Sequence, residues 1–261
     1  MLFRKLRLRA SYYHCPPNRL SLKQVSIGPV ELVVPRNEDV GRLIYYLRNY
    51  ESEYIDYLMG ALRRDDVCFD VGANLGYYTV LMAKAVPQGR VYAFEPDPFC
   101  QALLRLNIHI NRLENVVVNG VALGERSGTS SFFRCTDSAF NSFKDTARKT
   151  VSSVIQVSVT TLDEFVAAND VRRVDFVKVD VEGAECLVLA GAKQLLQNSA
   201  RRPRLLLLEV WDGNHRAFGD SASQIVEGLR RNHYEPFVLS GQKPTEYVPD
   251  ECVNVFFTPS S

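Results

Sequence analysis

The stretch Val67–Gly76, VCFDVGANLG, constrains this chain more than any other. A short apolar run ends in the acidic Asp70, and a tight Gly-containing turn follows. The turn leads into GYYTVLMAKAV, which reads as a helix. The unit is therefore strand–loop–helix, with a backbone that can approach a ligand closely. About 20 residues on, a second apolar run, Val91–Phe94, ends in Glu95. An acidic residue there is placed to hold the two hydroxyls of a ribose. A nucleoside-bearing cofactor is the first expectation.

The rest of the chain repeats the strand–helix rhythm. Val25–Val34 reads as a hairpin turning at Gly28-Pro29. Asp39–Tyr50 and Glu53–Leu62 carry apolar residues at helical spacing. Strand Val67–Val71 leads to helix Tyr77–Val86, and strand Arg90–Phe94 to helix Pro98–Asn111, before which Asp97 can serve as N-cap. Strand Val116–Asn119 follows. Then two extra strands, Thr129–Arg134 and Val154–Val159, flank a polar insertion, Thr136–Ser153. Thr161 and Glu164 are spaced as a capping box. Strand Val174–Val179 leads to a helix over Ala184–Gln197. The almost wholly apolar Leu205–Val210 suits a central strand covered on both faces. A helix over Ser221–Asn232 and strands Pro236–Leu239 and Cys252–Thr258 close the chain.

This alternation predicts a doubly wound, mostly parallel α/β sheet, which binds ligands at the carboxyl ends of its strands. Asp70, Glu95, Asn119, Asp180 and Glu209 all fall at such ends. We expect residues 1–64 to form a tail, hairpin and covering helices, and residues 65–261 the cofactor-binding domain, the whole being one structural unit.

Composition excludes little. Lys and Arg nearly balance Asp and Glu, leaving a formal charge of +1, and no basic stripe with interleaved aromatics points to nucleic acid. The start is locally basic. Arg4, Lys5, Arg7, Arg9, Arg19 and Lys23 precede the first acid, Glu31. Interleaved with Leu2, Phe3, Leu6 and Leu8, they make either a solvated tail or a segment with weak membrane-surface contact. No run approaches the roughly 20 apolar residues of a membrane span. Cys15, Cys68, Cys100, Cys135, Cys186 and Cys252 are scattered without a CxxC pair, which fits a reducing cytoplasm. The oligomeric state is not legible.

The turn does not suit a dinucleotide. Its glycines are Gly72 and Gly76, and the third glycine of a pyrophosphate-binding loop is missing. Asp70 would repel a pyrophosphate but could pair with an amine. A phosphate-free ligand such as S-adenosylmethionine (SAM) fits, with its zwitterionic amino acid, sulfonium and ribose.

At this point the sequence resembles the FkbM family of SAM-dependent methyltransferases. The resemblance runs from about Tyr50 to Val210. It is carried by YES at Tyr50–Ser52, DVGANLGYYT at Asp70–Thr79, VYAFEPDP at Val91–Pro98, NGVALG at Asn119–Gly124 and VTTLDEF at Val159–Phe165. FVKVDVEGAE at Phe176–Glu185, VLAGA at Val188–Ala192 and RPRLLLLEV at Arg202–Val210 complete it. It implies a class I methyltransferase fold, Rossmann-like, with seven strands of which the last runs antiparallel. It also implies methyl transfer from SAM, most often to a hydroxyl of a sugar or glycan, a polyketide or another small metabolite.

On that reading Asp70, Gly72, Ala73, Asn74 and Gly76 hold the methionyl part, with Asp70 accepting from the ammonium. Glu95 accepts both ribose hydroxyls. Pro96 and Asp97 lie near the adenine edge, unless Asp97 is simply a helix cap, and Val121 and Ala122 line the adenine. Asp180, also near the cofactor, could orient or deprotonate the acceptor. Glu182 could do so instead, or pair with Lys178. His215, titrating near neutrality, is an alternative base, and Glu209 a further candidate. A divalent metal on Asp180 with Glu209 or Asp212 is conceivable, though no metal is assigned. The insertion would hang over the site as a lid that sets acceptor selectivity. Glu51 and Tyr54 could contact either ligand. N-methylation and a non-catalytic SAM-binding scaffold remain alternatives.

Overall fold

The structure, a computed structural model, describes residues 21–241, 243–248 and 254–260. The basic start (save Lys23), Cys15 and Cys252 lie outside these residues. The hairpin pairs β1 (Leu22–Ile27) with β2 (Val30–Pro35), followed by helices α1 (Asp39–Leu47) and α2 (Ser52–Ala61). Then come β3 (Val67–Val71), α3 (Tyr77–Ala85), β4 (Arg90–Phe94), α4 (Pro98–Ile110) and β5 (Val116–Asn119). The insertion region comprises β6 (Ala122–Leu123), β7 (Gly128–Cys135), a 3-10 turn at Ser138–Phe140, and β8 (Val151–Thr160). After it run α5 (Leu162–Ala168), β9 (Phe176–Val179), α6 (Glu185–Ala190), α7 (Lys193–Gln197), β10 (Leu205–Glu209) and α8 (Asp212–His215). The remaining elements are α9 (Ala222–Arg231), β11 (Tyr234–Ser240), β12 (Lys243–Glu246) and β13 (Asn254–Pro259).

The central sheet has the order β12-β11-β13-β10-β9-β3-β4-β5. The ladders from β10 to β5 are parallel, and β13 runs antiparallel between β10 and β11. This is the class I methyltransferase topology, with one correction to the expected seven strands. An eighth, β12, folds back on β11 as an exposed edge. Its sequence, KPTE, has no apolar alternation to announce it, and Lys and Pro are residues that protect a sheet edge. The chain leaves β3 toward β4 and β5, then returns to β9, so the strand order reverses between β3 and β9. A crevice opens at the carboxyl ends there.

The run LLLL of β10 is explained by its two-sided burial. Leu206 and Leu208 pack with Phe69, Phe94, Phe165 and Val179 on one face. Leu205 and Leu207 pack with Val80, Val91, Phe176 and Phe256 on the other. The hairpin residues Val25, Leu32 and Val34, with Ile44 of α1 and Leu58 of α2, complete this second core. Fully burying such side chains stabilises the fold by about 1.5–3 kcal/mol each.

The open edge of β2 is satisfied by side-chain amides of α4 and of Asn111, which caps its C-terminus. Asn107 accepts from the Val33 N–H at 2.7 Å and donates to its carbonyl at 3.2 Å, while Asn111 accepts from Glu31 N–H at 2.9 Å.

Two helices depart from expectation. The run over Ala184–Gln197 breaks at Gly191, which packs so closely that a Cβ there would stand 2.1 Å from the Gly124 carbonyl. At α5 only half a capping box forms. Thr161 accepts from Glu164 N–H at 3.0 Å, while the Glu164 carboxylate turns to Ser127.

Candidate active site

The turn after β3 is built on positive φ angles: +79° at Gly72, +48° at Asn74 and +90° at Gly76. Gly72 is a steric necessity. A Cβ on it would lie 1.8 Å from the Asp180 carbonyl oxygen, so only glycine lets β3 and β9 meet here. The N–H groups of Gly72 and Ala73 both donate to the Phe94 carbonyl at 3.1 Å, pinning the turn to the end of β4.

The same turn orients Glu95. Asn74 N–H donates to one carboxylate oxygen at 2.8 Å and Asp97 N–H to the other at 2.9 Å. Each oxygen keeps a lone pair for a further donor. Burial pushes the Glu95 pKa up to about 7, against the pull of these two N–H groups. Asp70 is fully buried behind the turn. One of its oxygens accepts from Thr79 Oγ1, and the other, Oδ1, has no hydrogen-bond partner among the described residues. Burial raises its pKa, partly offset by Lys178 and Thr79.

These groups open onto a cleft. Asp180, Glu182 and Glu209 line the same cleft, each offering a carboxylate oxygen within 4.8 Å of the others. Lys178 of β9, almost fully buried, donates to Asp180 at 2.9 Å and sits 4.9 Å from the centre of the Tyr78 ring. Burial pulls its pKa down, but Asp180 and Asp70 more than offset this, so it stays cationic. Glu182 is paired with Arg148 of the insertion. Burial and the nearby Asp180 lift its pKa to about 8. Asn214 donates to Glu209 at 2.6 Å and to Glu182 at 3.1 Å. Glu209 is pushed well above the usual carboxylate range, first by burial and then by its acidic neighbours. Three carboxylates thus share two protein cations. The same three oxygens could hold a divalent metal.

The insertion roofs the cleft. Ser138, Ala139, Asn141 and Phe143 line it, and Ser142 Oγ donates to the Glu182 carbonyl at 2.9 Å. Tyr50 and Glu51, just before α2, also line it. Glu51 is held by Tyr78 at 2.7 Å and Asn254 at 3.1 Å.

The structure gathers Asp70, Gly72, Ala73, Asn74, Glu95, Pro96, Ala122, Asp180, Glu182 and Glu209 around one cleft. Other expected residues fall elsewhere. His215 lies in a helix and not in a loop. It is fully buried in α8, its Nε2 accepting from Trp211 N–H at 3.3 Å and its Nδ1 lying 3.4 Å from the Gly183 carbonyl and from Glu185. Burial lowers its pKa. Asp97 caps α4 through Phe99 and Cys100 N–H and pairs with Arg134, which leaves its side chain out of the cleft. Gly76 does not line the cleft but faces Leu104, whose Cδ1 a Cβ would approach to 2.5 Å. Val121 packs into the core, and Leu123 stands beside Ala122 in its place. Asp212 accepts from Ala222 N–H at 2.6 Å rather than joining the carboxylates. Lys178 pairs with Asp180, not with Glu182. Tyr54 packs against Phe256. Arg148 and Asn214 were not foreseen, because only tertiary contact reveals them.

Residues 70–236 match the methyltransferase FkbM domain, which is well over half of the chain. The chain belongs to the FkbM methyltransferase family. It is thereby a SAM-dependent methyltransferase by class. A hexuronic acid methyltransferase, AglP, of Haloferax volcanii is 32% identical over 151 residues, covering 57% of this chain and 59% of that protein. The 31-O-demethyl-FK506 methyltransferase FkbM of Streptomyces tacrolimicus is 29% identical over 200 residues, covering 66% of this chain and 73% of its own. Among solved structures, the METTL16 methyltransferase domain superposes with a TM-score of 0.51 at 14% identity, covering 90% of this chain and 74% of that one, which speaks to the fold alone.

SAM fits the residues present. The Oδ1 of Asp70, unpartnered among the described residues, suits an ammonium, Gly72 lines the cleft without a side chain, and Glu95 has lone pairs for two hydroxyls.

Proposed function

We propose that the protein methylates a hydroxyl oxygen of a sugar, glycan, polyketide or other small metabolite. The observation that carries this reading is the carboxylate trio Asp180, Glu182 and Glu209, set in the same cleft as Asp70 and Glu95. SAM, when bound, supplies a methyl group activated by its sulfonium. Asp70 would accept from the ammonium, and Gly72 and Ala73 would present backbone to the methionyl part. Glu95 would accept from both ribose hydroxyls, with Ala122, Leu123 and Phe143 toward the base.

On the acceptor side Asp180 is the most open of the three acids, its side chain 39% exposed, and Lys178 donates to it at 2.9 Å. It is therefore the group that orients the acceptor hydroxyl and takes its proton. Glu209, with its pKa lifted, is suited to hold a proton and donate a hydrogen bond. The roof, Ser138 to Phe143, excludes water from the reacting atoms. Holding donor and acceptor in line supplies much of the rate, and a positioned base adds about 10²–10⁴-fold.

The relatives that methylate a hexuronic acid and 31-O-demethyl-FK506 support an oxygen acceptor on a small molecule. Isotope-labelled SAM offered with a panel of hexoses, hexuronates and polyketide alcohols tests the reading. Label should appear on an ether oxygen. Transfer confined to amine nitrogens, or none across the panel with SAM bound, would sink it.

A further inference from the structure

The insertion reaches the carboxylates through one side chain, Arg148. It lies in the connection between the 3-10 turn and β8. Its guanidinium lies 4.4 Å from the centre of the Phe140 ring and 4.8 Å from that of Trp211. Phe140 belongs to the insertion, whereas Trp211 follows β10. The same guanidinium donates through Nη1 to Glu182 and to Asn214 Oδ1, the latter at 2.6 Å. Asn214 passes the connection on to Glu209. Two further contacts tie the insertion to the same segments. Ser142 donates to the Glu182 carbonyl, and Lys144 donates to the Ala217 carbonyl at 3.2 Å with its ammonium over the Phe218 ring.

We propose that Arg148 is a positioning residue: it latches the insertion across the acceptor side of the cleft and holds Glu182 and Asn214 in place against Asp180 and Glu209. The proposal rests on the methyl-transfer reading above, since that reading gives the carboxylates their task. Three physical arguments carry it. A guanidinium flanked by aromatic rings and bonded to a carboxylate uses its planar charge in several directions at once. The contacts join segments far apart in sequence, so they exist only while the insertion is down. Glu182 itself sits at φ +54°, a strained conformation that its surroundings must hold. Arg148 does not itself line the cleft; it reaches the site through Glu182, which does, and through Asn214.

Trp211 is the only tryptophan of the chain, so its fluorescence reports the latch without any acceptor being known. Arg148→Ala should shift Trp211 emission to longer wavelength, increase its quenching by acrylamide and expose residues 136–150 to limited proteolysis. Ethylguanidinium at millimolar concentration should reverse these changes. The affinity for SAM, measured by calorimetry, should stay within about threefold, which also shows that the variant is folded. With an acceptor in hand, kcat should fall about 100-fold while the KM for SAM holds. Phe140→Leu, which loosens only one side of the sandwich, should move Trp211 emission the same way and by less. Unchanged emission, quenching and proteolysis in Arg148→Ala would overturn the latch. So would a SAM affinity that falls along with them. The two readings fail separately. A wild-type protein that transfers no methyl group defeats the proposed function, while the fluorescence still decides the latch.

Discussion

The backbone N–H of Asn74 meets the Glu95 carboxylate at 2.8 Å, so the turn after β3 and the end of β4 form one construction. Glu95 is held by main chain on both oxygens, which leaves its remaining lone pairs fixed in direction. Glu95→Gln replaces an acceptor with a donor and confronts one of the two N–H groups with an amide. We expect SAM affinity to fall by about 3 kcal/mol, roughly 150-fold, by isothermal calorimetry. A change of less than about threefold would show that the ribose lies elsewhere.

The raised pKa of Glu95 has two opposite signatures. SAM binding should strengthen as pH rises through about 7, because the ionised form is the better acceptor for hydroxyl donors. Stability of the free protein should move the other way. A carboxyl whose folded pKa lies above its ordinary 4.5 contributes stability that is complete below pH 4.5 and is lost as pH rises through about 7. Glu185, lifted to about 7, and Glu182, lifted to about 8, act in the same direction. Urea denaturation at a series of pH values, with and without SAM, checks both signs.

Gly72→Ala should abolish cofactor binding through the fold itself. The strained backbone alone costs about 1–3 kcal/mol, and a Cβ 1.8 Å from the Asp180 carbonyl must push β3 and β9 apart. Gly76→Ala meets only the end of the Leu104 side chain and should be the milder of the two. Thermal denaturation ranks them, and equal losses would contradict the role given to the Asp180 carbonyl.

His215→Gln separates structure from catalysis. The residue is buried, and the amide can replace part of its bonding to Trp211 and Gly183. We expect a lower melting temperature with kcat retained within about tenfold. A general base would cost about 10²–10⁴-fold instead.

Asp180→Asn should lower kcat by at least about 100-fold. Glu182→Gln should cost less, about 10-fold, since Arg148 and Asn214 already engage that carboxylate. Steady-state kinetics at saturating SAM distinguishes the two, and the reverse ranking would move the proton-accepting role to Glu182.

The sequence made the strand–turn–helix of Val67–Ala85 legible because glycine, an acidic strand end and an apolar helix are local signals. Glu95, Asp180 and Glu209 were legible for the same reason, each ending an apolar run. What stayed hidden was tertiary. Nothing near His215 announces that Glu185 and Trp211 will enclose it, and a histidine after a strand reads as a loop base. Asp97 carries the same ambiguity in one residue, since a cap and a cofactor contact look alike until Arg134 arrives from β7. Arg148 and Asn214 sit in polar stretches without period, so their convergence on Glu182 had no local sign. The edge strand β12 has no apolar residue with which to declare itself.

The central claim is that the cleft between Glu95 and Asp180 transfers a methyl group to a hydroxyl oxygen. Its most direct measurement is the transfer of carbon-13-labelled methyl from SAM to a panel of small alcohols and sugars, with products read by nuclear magnetic resonance. The account predicts a methoxy signal with the wild-type protein that is lost in Asp180→Asn. A methyl signal on nitrogen or carbon, or a methoxy signal undiminished in Asp180→Asn, would contradict it.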